Sequence, residues 1–109
     1  MDKPKLRYIE AIPIEEEGER RILIRDPQNM TDKMLALAPE AFMIVAMFDG
    51  ENSIVDVQAE IAKRFGQIVP RETIESMLEV LDDNLLLESD RFRTHQKKMF
   101  EEFRSLAVR

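Results

Sequence analysis

The stretch Ala41-Phe42-Met43-Ile44-Val45-Ala46-Met47-Phe48-Asp49-Gly50 is apolar at every position as far as Phe48, then stops on an Asp-Gly pair. Pro39, two residues upstream, suits the first turn of a helix, where its missing N–H costs nothing, and Asp49-Gly50 suits a helix end. A helix that is apolar all round has to be covered on several sides, so this segment predicts the centre of a helical core. Directly after it, Ser53 with Asp56 three residues on has the form of an N-cap with an acid in the first turn. Ile54, Val57, Ile61 and Phe65 then recur at three- and four-residue steps until Gly66, which predicts a second, amphipathic helix. Pro70 opens a third, in which Ile74, Met77, Leu78 and Leu81 share one stripe while Glu72, Glu75, Glu79, Asp82 and Asp83 lie largely off it. Leu85-Leu86-Leu87 reads as a short extended segment that closes the bundle.

Upstream, Leu6 to Ile14 carries Tyr8, Ile9, Ile12 and Ile14, Glu15 to Glu19 forms a polar turn around Gly18, and Arg20 to Arg25 alternates around Ile22 and Ile24. This predicts a hairpin with a glycine-containing loop. Asp26-Pro27-Gln28-Asn29 is dense in turn formers and releases the chain into Met34-Leu35-Ala36-Leu37, read as a third strand, although four apolar residues do not separate strand from helix by periodicity. Downstream, Thr94 to Leu106 places Met99, Phe103 and Leu106 on one helical face with Phe100 close by, which predicts a tail helix lying after the bundle. The expected fold class is α+β, with a small antiparallel N-terminal sheet, a three-helix bundle wired like a winged helix-turn-helix, and a C-terminal tail helix. The expected division is a domain over residues 1–92 and a basic amphipathic tail helix or linker over residues 93–109.

The 109 residues suit one domain with an ordinary core. Cysteine is absent, which excludes a disulfide scaffold, a thiolate zinc site and a cysteine nucleophile together. The opening residues hold no apolar run long enough for a signal peptide and no stretch approaches a membrane span, so a soluble, cytoplasmic protein is expected. Charged residues make up 35% of the chain and apolar ones 44%, with a net charge of −6, a balance that still favours folding. The charge is polarised: Arg71 to Asp90 holds seven acids against Arg71 alone, whereas Arg91 to Arg109 holds six bases against Glu101 and Glu102.

Little of this supports catalysis. His95 is the single histidine, flanked by Arg93 and Lys97 without a co-ligand in sequence, and reads as a surface residue. Asp82-Asp83 and Glu15-Glu16-Glu17 do not follow the alternating pattern of a calcium loop, and Asp49-Gly50-Glu51-Asn52-Ser53 lacks the closing acid of one. Three glycines form no phosphate loop, and no serine sits in a nucleophile turn. No enzyme activity, cofactor or metal is therefore expected. The helix that reads base edges in a helix-turn-helix would be the third, and its Glu72, Glu75 and Glu79 repel phosphate, so nucleic acid is not the expected partner. If Met34 to Leu37 ends the sheet, its unpaired backbone can accept an incoming peptide as an added strand, with the third helix as the opposite wall. The alternative is that Leu35 and Leu37 only fill the core and Lys33 blunts the edge.

Two resemblances add to this reading. The runs Leu37-Ala38-Pro39-Glu40-Ala41-Phe42, Phe48-Asp49-Gly50-Glu51-Asn52-Ser53-Ile54-Val55-Asp56-Val57 and Glu72 to Leu87 resemble, in that order, the PqqD-like family of small winged-helix domains, and cover about half of the chain. That resemblance implies a peptide-recognition element that binds a precursor-peptide leader along the third strand and third helix and delivers it to a modifying enzyme, often a radical SAM protein. Carried onto this sequence, it implies a groove formed by Met34, Leu35, Ala36 and Leu37 with Ile74, Glu75, Leu78 and Glu79. The second resemblance covers nearly the whole chain. Lys5-Leu6-Arg7-Tyr8-Ile9-Glu10-Ala11-Ile12-Pro13, the turn Ile24-Arg25-Asp26-Pro27, Leu86-Leu87-Glu88-Ser89-Asp90-Arg91-Phe92 and Phe100-Glu101-Glu102-Phe103-Arg104 look like the region that precedes a Memo-like domain in bacterial proteins of the AmmeMemoRadiSam type. It implies that a segment like Arg104 to Arg109 runs on into that larger domain. The functional expectation is a non-catalytic peptide- or protein-binding adaptor serving a fused or separate enzyme. Its alternatives are a structural or dimerising N-terminal domain using the tail face, and a DNA-binding winged helix.

Overall fold

In the computed structural model, residues 2–107 are described, with side chains as far as residue 102. The fold is α+β: strands β1 (Glu10–Glu16), β2 (Glu19–Arg25) and β3 (Met34–Leu37) are followed by helices α1 (Pro39–Val45), α2 (Ile54–Phe65), α3 (Arg71–Asp83) and α4 (Asp90–Ala107). The sheet is antiparallel in the order β1-β2-β3, with Ile24 opposite Leu35 and Ile22 opposite Leu37, so β3 is an edge strand. Glu17 and Gly18 both take positive φ (52° and 79°), the paired left-handed geometry whose twist matches a two-residue hairpin.

Strand alternation turns Ile24, Ile22, Leu35 and Leu37 to one face, where they meet the helices. There Val45 and Phe48 from the apolar run, Val57 and Ile61 of α2, Ile74 and Leu81 of α3, and Leu86 and Leu87 after it are buried together. The all-apolar segment is covered on one side only: Val45 and Phe48 are buried, Phe42, Ile44 and Met47 pack partly against the core, and Met43 and Ala46 are exposed; its helix ends at Val45 and a turn carries the chain to Phe48. Helix α2 begins on a full capping box: Ser53 Oγ accepts from the Asp56 N–H, and the Asp56 carboxylate accepts from the Ser53 N–H. It ends at Gly66 in the left-handed conformation.

Three expectations are corrected. The first strand starts at Glu10, not Leu6, because the preceding residues pair elsewhere: Lys5 bridges Asp49, Leu6 bridges Leu87, and Arg7 N–H donates to the Leu86 carbonyl at 3.0 Å. Leu85 is not extended. It adopts φ 61° and closes α3 in the manner of a C-terminal glycine, with Leu86 N–H bonded to Leu81 O and Leu85 N–H to Asp82 O. The tail helix begins at Asp90 rather than Thr94, so the expected boundary at 92–93 falls inside it, and its first turns pack. Phe92 is buried, and the half-buried His95 places Nε2 2.7 Å from the Met30 carbonyl, which removes the surface reading of this histidine. The Phe103 and Leu106 part of the expected tail face lies outside the described side chains.

These departures meet at Arg7. Its guanidinium is 2% exposed, pairs with the fully buried Asp26 carboxylate at 3.0 Å, donates to the strained Leu85 carbonyl at 2.7 Å, and stacks 3.7 Å from the Phe92 ring centroid. The Asp26 carboxylate also accepts from the N–H groups of Gln28, Met30 and Thr31, which folds the β2–β3 loop around it. Burial raises the Asp26 pKa. The Gln28 N–H, the Arg7 guanidinium and the Met30 N–H together outweigh that and hold it below the ordinary 3.8.

Removing one member of a buried pair leaves an uncompensated charge, so Arg7→Met is expected to lose about 3–5 kcal/mol of stability in urea unfolding. Because the folded-state pKa of Asp26 is depressed, its stabilisation is present above the unfolded-state value and is lost as pH falls through the folded-state one. Urea midpoints measured on either side of that window are expected to drop more steeply on the acid side in the wild type than in Asp26→Asn. On α3, Ile74→Ala is expected to cost about 2–5 kcal/mol. Val80→Ala, one turn and a half along at a side chain 48% exposed, is expected to stay within about 0.5 kcal/mol.

Candidate functional site

The feature with the shape of a binding site is an apolar groove of about 430 Å³ between the β3 edge and α3. Its floor is Leu35 and Leu37, the two β3 residues that alternation turns inward, with Ala41 and Val45, one turn apart on α1, closing one end. Its far wall is a stripe of α3: Thr73, Ser76, Met77 and Val80, with Leu81 at the base. Positions spaced 3, 4 and 7 apart lie along one side of a helix, so this second stripe runs beside the core stripe of Ile74 and Leu81. Among the described residues no strand pairs with the outer edge of β3, so its backbone groups border the groove unpaired by sheet. Lys33 does blunt one end, since its Nζ donates to the Asp83 carbonyl at 3.2 Å across the C-terminal end of α3.

The eight residues expected to form a groove are divided by the structure. Leu35 and Leu37 line it. Met34 and Ala36, one residue out of phase, lie on the opposite face of the sheet and are exposed. Ile74 is fully buried in the core. Glu75, Leu78 and Glu79 flank a shallower depression of about 350 Å³ on the other side of α3, with Ile54, Arg71 and Leu87, where Arg71 pairs with Glu75 at 2.7 Å. The α3 residues that line the groove beside β3 are instead Thr73, Ser76, Met77 and Val80. The physical reason is that the strongest apolar stripe of an amphipathic helix is used by the core, which leaves a groove to the weaker stripe next to it. An exposed Val80 in phase with Met77 and Thr73 was the signal in the sequence for that weaker stripe.

The remaining polar clusters have local partners. Asp49 Oδ1 accepts from the N–H groups of Glu51 and Asn52 and from the Asn52 amide, so the segment that resembles half a calcium loop is a self-capped turn. Asp82 accepts from Ser89 Oγ, and Asp83 pairs with Arg91, which raises the Arg91 pKa through the hydrogen bond and charge of Asp83. Among the described residues no group of three or more histidine, aspartate and glutamate side chains is placed to hold a metal ion. No described helix is long and apolar enough to cross a membrane.

No family model matches the chain. No solved structure matches it either. Among curated proteins, a MEMO1 family protein of Aquifex aeolicus (strain VF5) is 33% identical over 96 residues, which is 88% of this chain and 24% of that protein. The chain thus spans about a quarter of the length of the curated relative it matches, and is similar to part of a Memo-family protein.

Proposed function

We propose that this chain is a non-catalytic binding module of a Memo-associated protein, which takes up an extended peptide or protein segment along β3 and presents it to a Memo-like or radical SAM enzyme, fused or separate. The observation that carries the reading is the groove: an unpaired strand edge beside an apolar trough walled by Met77 and Val80. A strand laid against β3 gains main-chain hydrogen bonds from the edge, while its inward side chains fill the trough. The similarity to part of a MEMO1 family protein supports the association with a Memo system. The resemblance to PqqD-like domains supports the use of the third strand and third helix, since three strands followed by helices is the order found here.

A second reading, a structural or dimerising domain, has support on the other face of the sheet. Ile12, Ile14 and Leu23 lie there beside Ala36 and Met34, and they stand outside the core cluster with their side chains half exposed. Sedimentation separates the two readings, since a concentration-dependent dimer abolished by Leu23→Asp belongs to the second.

For the first reading, peptides encoded beside the gene are titrated into the isotope-labelled chain while amide shifts are followed. The expected result is saturable change at Leu35, Leu37 and the residues around Met77, lost in Val80→Arg, which plants a long cation in the trough from an exposed position. Shifts confined to α4 or the outer sheet face contradict it.

A further inference from the structure

The face of the sheet turned away from the helices carries three rows of side chains: Glu10, Arg25 and Met34, then Ile12, Leu23 and Ala36, then Ile14 and Arg21. Its centre is apolar. Ile12, Ile14 and Leu23 are half-buried and stand outside the core cluster, Ala36 is exposed, and Met34 is 56% exposed. Charges border it at both ends and are paired there, Arg25 with Glu10 at 3.5 Å and Arg21 with Glu19 at 3.1 Å. An apolar centre with a polar rim is the anatomy of a protein–protein contact. Strand β3 contributes to both faces at once, with Leu35 and Leu37 in the groove and Met34 and Ala36 on the outer side.

A strand added to β3 has only one accessible side. Its residues alternate between faces, so those opposite Leu35 and Leu37 turn into the trough beside α3, whereas those opposite Met34 and Ala36 continue the outer rows. An enzyme that reads the held segment therefore meets it from the outer face. Resting on the proposed function, we infer that the outer sheet face, centred on Ile12, Leu23 and Ala36, is the docking surface for that enzyme, and that the enzyme lies in the part of a Memo-family protein beyond the stretch this chain matches. The match takes up 24% of the relative, so about three quarters of that protein stands outside it. The partner surface that fits is apolar at its centre and carries little net charge, because the rim charges already neutralise each other in pairs. Peptide and enzyme then use opposite faces of one short strand and do not compete.

The test is maleimide labelling of single thiols. This chain has no cysteine, so Ala36→Cys places one thiol on the outer face and Ser76→Cys places one on the groove wall, both at exposed positions. The same two changes are made at the matched positions of the whole Memo-family relative, cleared of other cysteines, and the rates are compared. At the outer position the whole relative is expected to label about tenfold more slowly than this chain, since a thiol reacts only where reagent reaches it, while the groove-wall position labels alike in both. Met34→Cys, on the same face of β3, serves if Ala36→Cys does not fold. Equal rates at the outer position in the two proteins overturn the inference and leave the groove reading standing. So does slow outer labelling of this chain alone that speeds up on dilution, which belongs to a second copy. Slow labelling of the groove wall in the whole relative means that the rest of that protein fills the trough, and overturns the inference together with the reading it rests on.

Discussion

The buried pair of Arg7 and Asp26 is the constraint on which the arrangement of this domain depends. One guanidinium joins four otherwise separate pieces: the N-terminal segment that carries it, the β2–β3 loop folded around Asp26, the left-handed turn at Leu85, and the Phe92 ring at the start of α4. A non-glycine residue at positive φ costs on the order of 1 kcal/mol or more and persists only where its surroundings hold it, as the guanidinium on the Leu85 carbonyl does here. Two fully buried charges are costly to desolvate, and replacing such a pair by apolar side chains is often neutral for stability. The geometric consequence of this pair is therefore more informative than its energy. It ties the segment around Arg7 to the β2–β3 loop and to the start of α4.

That placement leaves the groove open. The N-terminal segment is held against Asp49 and Leu87, and the first turns of α4 are held against the β2–β3 loop through His95 and against Arg7 through Phe92, so neither lies along β3. Helices α1 and α3 then stand beside a strand that, among the described residues, pairs with β2 alone, and Ala41 and Val45 of α1 with the weaker apolar stripe of α3 line the space beside its outer edge. The short loop between Arg25 and Met34 is shaped by the Asp26 carboxylate, which accepts three backbone N–H groups and so determines where β3 begins. The node and the groove are linked through that loop and through α3, whose C-terminal turn ends on the carbonyl that Arg7 holds.

Much of this fold is legible in the sequence because its signals are local. The Ser53-Asp56 box, Gly66, Pro39, Pro70 and the alternation around Ile22 and Ile24 each specify an element from a few neighbouring residues. The departures come from contacts distant along the chain. Nothing near Leu6 announces that it will pair with Leu87 instead of extending the hairpin, and Leu85 has no intrinsic preference for a left-handed turn; Arg7, next to Leu6, bonds to the carbonyls of Leu85 and Leu86. The same holds for the site. The strand half, Leu35 and Leu37, follows from alternation once β3 is an edge. The helix half does not follow in the same way, because periodicity identifies the stripe the core uses, as at Ile74, but not which neighbouring stripe borders the β3 edge.

The groove is tested most directly by isotope-filtered cross-relaxation between a bound peptide of alternating valine and threonine and the labelled chain. The expected result is cross-strand proximity between peptide backbone protons and those of Met34 to Leu37, with peptide side chains close to Met77 and Val80. Contacts confined to the outer sheet face around Ile12 and Leu23, or to α4, contradict it.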